Sequence, residues 1–172
     1  ADRETGPSTT DKKDDNPMKK IILGFDPGQT GAIAAFDGER IEAVIDMPTM
    51  TRLHGKGQQV DPYTLATALI DLCAGREATA VLEAVSAMPG QGVPSTFHFG
   101  ESVGVVLGVL GALQIPVRMV TPAKWKKAAG LLGRDKDAAR TLAIQLHPEV
   151  ADQLTRKKDT GRADAVGIAR FG

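Results

Sequence analysis

The sequence predicts an α/β domain in which helices cover both faces of a mixed β-sheet. Strand-like apolar segments follow one another over residues 21–46 with only short turns between them, which is typical of an antiparallel meander. After residue 60, helix-like and strand-like segments alternate, which is typical of strands that join a sheet in parallel. At 172 residues, the chain has the length of one domain.

The first two strands are predicted over residues 21–25 and 32–36, where apolar residues run almost without interruption. Turn chemistry separates them, because Pro27 fixes φ and the glycines that follow permit a positive φ. Asp26 therefore closes the first strand at the edge of the sheet. It either only starts the turn or belongs to a set of metal-binding carboxylates.

The remaining elements follow from local patterns. Alternation over residues 41–45 predicts a third antiparallel strand, and the polar, glycine-containing segment 49–59 predicts a loop. Asp61 is a good N-cap, and Pro62 fits the first position of a helix. This order of elements is that of ribonuclease H-like domains, whose sites gather at strand ends. The other predicted elements are a strand over 78–85, a helix over 96–114, a strand over 115–120, and helices over 121–132, 134–154 (interrupted near Pro148) and 163–172.

Residues 1–17 are predicted to lie outside the folded domain. They contain five acidic and three basic residues and no large apolar side chain, so they cannot bury a core. We interpret them as a disordered tail or a tag remnant and place the folded domain at residues 18–172. No apolar run is expected to be long enough to span a membrane. The single cysteine, Cys73, excludes an intramolecular disulfide and suits a reducing, intracellular compartment.

Four acidic residues are candidates for a metal site. Asp26 ends a buried strand, and Glu83 lies among apolar residues in another, where an unpaired charge is costly. Asp159 and Asp164 flank the start of the last helix. Alternatively, Asp26 forms a turn, Glu83 accepts backbone hydrogen bonds at the strand tip, and the last two cap the helix. If all four converge, divalent cations would relieve their repulsion, and ligands that are all oxygen suit Mg²⁺ or Mn²⁺.

Three motifs, GFDPGQTG, LEAV and KKDTGRADAVGIA, resemble in their order and separation those of the RuvC family of Holliday-junction resolvases. The segments TPAKWKKAAGL and KDAAR make the chain most similar to the plant chloroplast branch and its phage and bacterial relatives. The resemblance covers residues 18–172. It implies a ribonuclease H-like nuclease domain in which Asp26, Glu83, Asp159 and Asp164 are catalytic and bind two Mg²⁺ ions, for which Mn²⁺ can substitute.

The same resemblance implies an activity. The chain would be a structure-selective endonuclease that resolves four-way DNA junctions by paired phosphodiester hydrolysis, leaving 5′-phosphate and 3′-hydroxyl ends. Asp26 would bridge both ions, Glu83 would hold one, and Asp159 and Asp164 would hold the other. In bacterial RuvC the last two positions lie three residues apart, which would put Gly161 opposite Asp164. The spacing of five here resembles the chloroplast branch.

The helix predicted over 96–114 carries glycines along roughly one face. Each glycine in a helix costs about 1 kcal/mol relative to alanine, so close approach of another element is expected. That element is either the sheet of the same chain or, as the resemblance implies, a second copy in a homodimer, which would supply a second site for the second nick. The implied compartment is the cytoplasm or nucleoid, or the chloroplast stroma. The glycines are Gly100, Gly104, Gly108 and Gly111.

Basic residues near the acids in sequence are candidates for DNA contacts, and the alternative is a solvated surface. The loop after Glu83 is either an ordinary surface loop or, as the resemblance implies, placed to enter an opened junction. Ser86 stands where bacterial RuvC has an aromatic residue that stacks on bases, so another residue would have to act as a wedge. Trp125 is predicted to pack in the core rather than to stack on bases. The DNA-binding candidates are Met88, Gln91, Phe97, Lys124, Lys126, Lys127, Arg156, Lys157, Lys158 and Arg162.

Three other functions compete with a junction-cutting nuclease. A nuclease of the same fold that processes RNA would differ only in its substrate. A catalytically silent junction-binding protein is disfavoured because all four acids are present. A phosphotransferase of the actin or sugar-kinase type shares the pattern Asp-x-Gly-x-Thr that begins at Asp26, but it needs two such lobes, and the chain has length for one.

Overall fold

The computed structural model describes residues 19–84, 86, 90, 92–135 and 137–172. The predicted tail, residues 1–17, and the candidates Met88 and Gln91 therefore lie outside the described residues. The elements are β1 (Ile21–Asp26), β2 (Ala32–Phe36), β3 (Ile41–Asp46), β4 (Thr49–Thr51), β5 (Gln58–Val60), α1 (Pro62–Cys73), β6 (Ala78–Glu83), α2 (Val93–Ala112), β7 (Val117–Val120), α3 (Pro122–Ala128), α4 (Ala138–Leu146), the 3-10 helix η1 (Pro148–Leu154) and α5 (Thr160–Phe171).

The main sheet is mixed, as predicted, with the strand order β3-β2-β1-β6-β7. Strands β1, β2 and β3 form the antiparallel meander, and β6 and β7 run parallel to β1. Phe25 pairs with Leu82, so the residues that follow them, Asp26 and Glu83, end adjacent strands at the same edge. Glu83 in turn pairs with Val120 of β7. The register alone therefore brings two of the candidate acids side by side.

Helices cover both faces of the sheet. On one face, α1 and α2 bury residues such as Leu69 and Val106 against Leu23 and Phe25 of β1. On the other face, α5 lies directly on β1, because a Cβ at Gly24 would collide with the backbone of Ala165 and Ala169. Since residues alternate between faces along a strand, Asp26 points to the same side as Gly24. Asp26 therefore emerges on the α5 side of the sheet.

Some element boundaries differ from those predicted. Residues 49–60 form the hairpin β4–β5, where a loop was predicted over 49–59, and Gly55 and Gly57 adopt the positive φ angles that its tip requires. Helix α2 begins at Val93, with Pro94 in its first turn, whereas the sequence indicated residue 96. Helix α5 begins at Thr160, three residues before its predicted start.

Helix α2 also corrects an expectation about membrane spans. Its 20 residues are long and apolar enough, by length and composition, to cross a membrane, so the expectation that no apolar run reaches that length is wrong. Ser102, Val106 and Leu110 of this helix are buried in the domain. A core helix passes the same length and composition test, and the buried stripe accounts for part of the apolar character.

Candidate active site

The turn between β1 and β2 wraps closely around Asp26. The Gly31 N–H donates to the Gly28 carbonyl at 2.9 Å, which closes the turn. A Cβ at residue 31 would collide with the backbone carbonyl of Asp26, so only glycine fits there. The turn signal recognised in the sequence therefore also brings the backbone of residue 31 against the acid.

The first turn of α5 closes the other side of Asp26. A Cβ at Gly161 would lie 2.8 Å from the Thr30 carbonyl oxygen and 3.2 Å from Oδ2 of Asp26. Helix α5 therefore touches the carboxylate with its backbone. Gly161 is the position to which the bacterial RuvC spacing would assign an acid, and no side chain fits there unless the helix or the turn moves.

Asp26, Glu83 and Asp164 influence one another electrostatically. Burial raises the pKa of Asp26 to about 6, and the charge of Glu83 adds to this, while a backbone hydrogen bond from Gly28 and the charge of Lys126 oppose it. Burial also raises the pKa of Asp164 to about 6; Lys126 opposes this shift, and Asp26 and Glu83 reinforce it. Three of the four predicted acids thus share one edge of the sheet with a lysine.

Glu83 is held by Trp125. The indole Nε1–H donates to Oε1 of Glu83 at 2.7 Å, and the Trp125 side chain is completely buried. A Cβ at Gly167 would lie 2.6 Å from Cζ3 of the indole, so the ring packs directly on the backbone of α5. Trp125 therefore packs in the core, as the sequence analysis predicted, and also binds a candidate catalytic carboxylate.

Asp159 is engaged by Arg156. Its carboxylate accepts from the Arg156 guanidinium at 2.7 and 3.0 Å and from the Arg156 backbone N–H at 2.8 Å. The side-chain hydrogen bond from Arg156 is the main reason that the pKa of Asp159 lies below its ordinary value. Asp159 is not among the groups that shift the pKa of Asp26 or Asp164.

The candidate ligands have the chemistry that a hard divalent cation prefers, but their side chains do not converge on one point in this structure. Asp26, Glu83 and Asp164 offer only carboxylate oxygens, which suit Mg²⁺ or Mn²⁺, and their mutual repulsion favours a bound cation. Across the described part of the chain, no three His, Cys, Asp or Glu side chains converge closely enough to hold a metal ion as they stand. Metal binding would therefore require at least one of these side chains to move toward the ion.

The predicted DNA-binding arginines already have acidic partners. Arg162 makes a two-pronged ion pair with Asp46, at 2.6 and 2.8 Å, and Arg156 holds Asp159. Phe97 is 67% exposed in the first turns of α2. The predicted lysines are exposed apart from Lys126, which is half-buried beside the carboxylates; these are Lys124, Lys126, Lys127, Lys157 and Lys158.

Two surface cavities flank the start of α5. One, of about 380 Å³, is lined by Lys158 and Arg162 among others. The second, of about 290 Å³, is lined by Lys126, Asp164 and Arg134. Arg134 is not among the candidates predicted from sequence, because it lies 30 residues before Asp164 and between, not within, the segments that carry the resemblance.

The raised pKa values predict how the metal-free protein responds to pH. Because Asp26 and Asp164 have a pKa of about 6 when folded, against 3.8 ordinarily, the folded state retains protons that the unfolded state has released. Their stabilising contribution is present at low pH and is lost as the pH rises through 6. In chelator, we expect the free energy of unfolding to fall between about pH 5 and 8 by roughly 1 kcal/mol more in wild type than in Asp26→Asn. Urea unfolding measures this, and an equal fall in both proteins would contradict the raised pKa.

Comparisons with known proteins support the fold. No family model matches the chain. Over 85 residues, the chain is 36% identical to the chloroplastic Holliday junction resolvase MOC1 of Chlamydomonas reinhardtii, a match that covers 49% of this chain and 10% of that protein. The chain thus spans about a tenth of the length of the curated relative that it matches. The resemblance to junction resolvases that the motifs suggested is confirmed at this level.

Solved structures give the same result over more of the chain. Thermus thermophilus RuvC in complex with a Holliday junction substrate matches with a TM-score of 0.61 and 15% identity, covering 88% of this chain and 91% of that one. Thermus thermophilus RuvC in a second structure matches with a TM-score of 0.52 and 14% identity, over 88% and 92% of the two chains. The fowlpox virus Holliday junction resolvase matches with 0.51 and 14%, over 86% and 93%. The chain therefore has the ribonuclease H-like fold of RuvC.

Proposed function

We propose that this chain is an endonuclease that cleaves four-way DNA junctions by metal-dependent phosphodiester hydrolysis. The observation that carries the proposal is that Asp26 and Glu83 end adjacent strands of a RuvC-like sheet, and that Asp164 and Lys126 lie within electrostatic reach of Asp26. The partial likeness to a chloroplast junction resolvase supports the same substrate. The compartment that this relative's name suggests is the chloroplast stroma, and the sequence is equally compatible with the cytoplasm or nucleoid.

Asp26, Glu83 and Asp164 would hold the divalent ions, which we propose to be two Mg²⁺ ions with Mn²⁺ as a substitute. If bound there, such ions would lower the pKa of an attacking water and neutralise charge at the scissile phosphate. Asp26 lies between the other two elements, because β6 is its neighbour in the sheet and α5 touches its carboxylate. This position supports the role of a shared ligand.

Lys126 is the cation beside these carboxylates. Its charge lowers the pKa of both Asp26 and Asp164, so its ammonium group lies within electrostatic reach of each. We propose that Lys126, rather than Lys158 or Arg162, binds an oxygen of the scissile phosphate. Arg162 is less suited to it, since it is paired with Asp46.

Asp159 remains a proposed fourth ligand, with a condition attached. Its carboxylate is neutralised by Arg156, so it can bind a cation only when Arg156 takes another anion. A DNA phosphate is such an anion, and the Arg156 side chain is half-exposed and able to reach one. We therefore expect Asp159→Asn to reduce cleavage less than Asp164→Asn does.

Other basic residues would anchor the phosphate backbone. Lys124 and Lys127 lie exposed on α3, and Lys157 and Lys158 lie exposed in the loop before α5. Lysine–phosphate contacts of this kind release counterions, and binding is expected to weaken steeply with salt. Phe97, Met88 and Gln91 remain the proposed contacts at the junction centre.

The glycines of α2 support a homodimer. A Cβ added at Gly100, Gly104, Gly108 or Gly111 would have no heavy atom of the described chain within 4 Å, so these glycines do not pack on the sheet. Exposed apolar side chains continue this surface, including Leu107 on α2. We propose that a second copy covers it, which would supply the second site that a four-way junction needs.

Gly104→Arg is the test of the dimer. The side chain has space in one chain but would be buried at a dimer interface, so we expect a monomer whose junction cleavage no longer yields paired nicks. Size-exclusion chromatography with light scattering gives the mass. Thr67→Arg, on the exposed side of α1, is the matched control and should leave the mass unchanged. A dimeric Gly104→Arg protein would exclude α2 as the interface.

The proposed function itself is tested with a labelled immobile junction and Mg²⁺. We expect two symmetric nicks with ligatable 5′-phosphate ends. Structured RNA of similar length and ATP serve as comparison substrates, because they represent an RNA-processing nuclease and a phosphotransferase. Binding of the junction without any nick would instead indicate a silent junction-binding protein.

A further inference from the structure

We propose that Trp125 is a positioning residue of the active site, which orients the carboxylate of Glu83 through its indole N–H. This inference rests on the proposed function, because it assigns Glu83 a role in that site. The hydrogen bond from Nε1 to Oε1 is 2.7 Å long, and the indole is completely buried. An indole N–H can only donate, and leaving it without an acceptor in the core costs about 1–3 kcal/mol. The bond therefore ties the conformations of both side chains together.

The bond selects one orientation of the Glu83 carboxylate. A free glutamate side chain rotates among several conformers, and ordering it on a ligand costs conformational free energy. With Oε1 held by the indole, the second oxygen has a defined direction before any cation arrives. Partners of this type, which hold a ligand rather than the metal, typically change metal affinity or activity by about 10–100-fold when removed.

The indole ring is itself held in place by its neighbours, so it keeps the Glu83 carboxylate in one orientation. The ring lies against the backbone of Gly167, where a Cβ would come within 2.6 Å of Cζ3. Val81, Val120 and Ile168 complete its surroundings. Gly167 lies one helical turn after Asp164, so the ring contacts α5 just below the candidate metal ligand.

The Trp125 side chain also anchors α3, the helix that carries Lys126. Trp125 lies in α3 immediately before Lys126, whose Nζ is 5.2 Å from the centre of the indole ring. Trp125 thus joins the three elements that carry site residues. These are β6 with Glu83, α3 with Lys126, and α5 with Asp164. A phenylalanine would fill most of the same space, but it has no N–H. The substitution Trp125→Phe therefore separates packing from positioning.

The first test is Trp125→Phe in the full chain. We expect junction binding without Mg²⁺ to change by less than about twofold, because no DNA contact is lost. We expect kcat to fall about 10-fold and the half-saturating Mg²⁺ concentration to rise several-fold, with KM for the junction unchanged. Phe36→Leu, a buried aromatic change on the same face of the sheet, is the control that should lower stability but leave the Mg²⁺ requirement unchanged.

The second test needs no cleavage. Trp125 is the only tryptophan, so an isotopically labelled protein gives one indole N–H resonance. We expect this resonance to shift in Glu83→Ala and, in the wild type, on titration with Mg²⁺. The inference would be overturned by a resonance that shifts neither in Glu83→Ala nor on Mg²⁺ titration. It would also be overturned by a Trp125→Phe protein with wild-type kcat and Mg²⁺ dependence. If the wild type cuts no junction, the proposed function fails, whereas the coupling of the indole to Glu83 is still decided by the spectrum.

Discussion

Asp26→Asn is expected to abolish junction cleavage while leaving junction binding intact. Asparagine has nearly the shape of aspartate, so the turn around residue 26 is preserved. The negative charge that Asp26 places beside Glu83 and Asp164 is lost. Asp26 would be a ligand of metal ions that neutralise charge in the transition state. Losing such a ligand costs several kcal/mol of transition-state stabilisation, so kcat should fall about 10³-fold or more. Single-turnover cleavage of a labelled junction measures the rate.

The variant also carries its own control for folding. Because Asp26 is half-buried and has a pKa of about 6, removing its charge should stabilise the metal-free protein at neutral pH, not destabilise it. Asp71→Asn, on the exposed side of α1 and on the opposite face of the sheet, should cut like the wild type. Normal cleavage by Asp26→Asn in Mg²⁺ would remove Asp26 from the site and with it the proposed mechanism.

The main sheet could be predicted because its signals are local. Uninterrupted apolar runs mark strands that are buried on both faces, and Pro27 marks the turn between the first two. The β4–β5 hairpin could not be predicted in this way, because each strand has only three residues and one apolar side chain, too few to show a pattern. The hairpin is tied to the domain by an ion pair between Arg52 and Glu101 of α2, a contact between residues distant in sequence.

Part of the site could be predicted, because an acidic residue among apolar residues stands out in the sequence. Asp26 and Glu83 stand out for this reason, and the strand register then places them together. Asp159 has the same charge and a motif around it, but Arg156 neutralises it, and competition between neighbouring ions does not follow from residue order. The bond from Trp125 to Glu83 joins residues 42 positions apart and likewise has no local signal.

Glycine had a second role that the sequence did not distinguish from turn formation. Gly24, Gly161 and Gly167 all mark places where another element touches the backbone, and all three contacts involve α5 or the residues that face it. Gly24 lies inside a strand, where glycine is unfavourable by itself. The compensation is the close approach of α5, which brings Asp164 to the edge where Asp26 ends.

Gly24→Ala is therefore expected to destabilise the protein strongly and to impair the site as well. A single methyl group at residue 24 would collide with the backbone of Ala165 and Ala169, and backbone cannot move aside as a flexible side chain can. Overpacking of this kind costs about 1–3 kcal/mol, and more where backbone is displaced. Moving α5 outward also separates Asp164 from Asp26, so kcat should fall even at temperatures where the variant is folded. Urea unfolding and cleavage at low temperature measure the two effects.

Gly28→Ala is the matched control, because it adds the same methyl group in the adjoining turn. A Cβ at residue 28 would have its nearest neighbour at 3.9 Å, which is an ordinary contact, so stability should change by less than about 1 kcal/mol. The comparison thus isolates the contact between β1 and α5 from the general effect of replacing a glycine. If Gly24→Ala were as stable as Gly28→Ala and cut junctions like the wild type, α5 would not rest on β1 as closely as described, and the placement of Asp164 beside Asp26 would lose its physical basis.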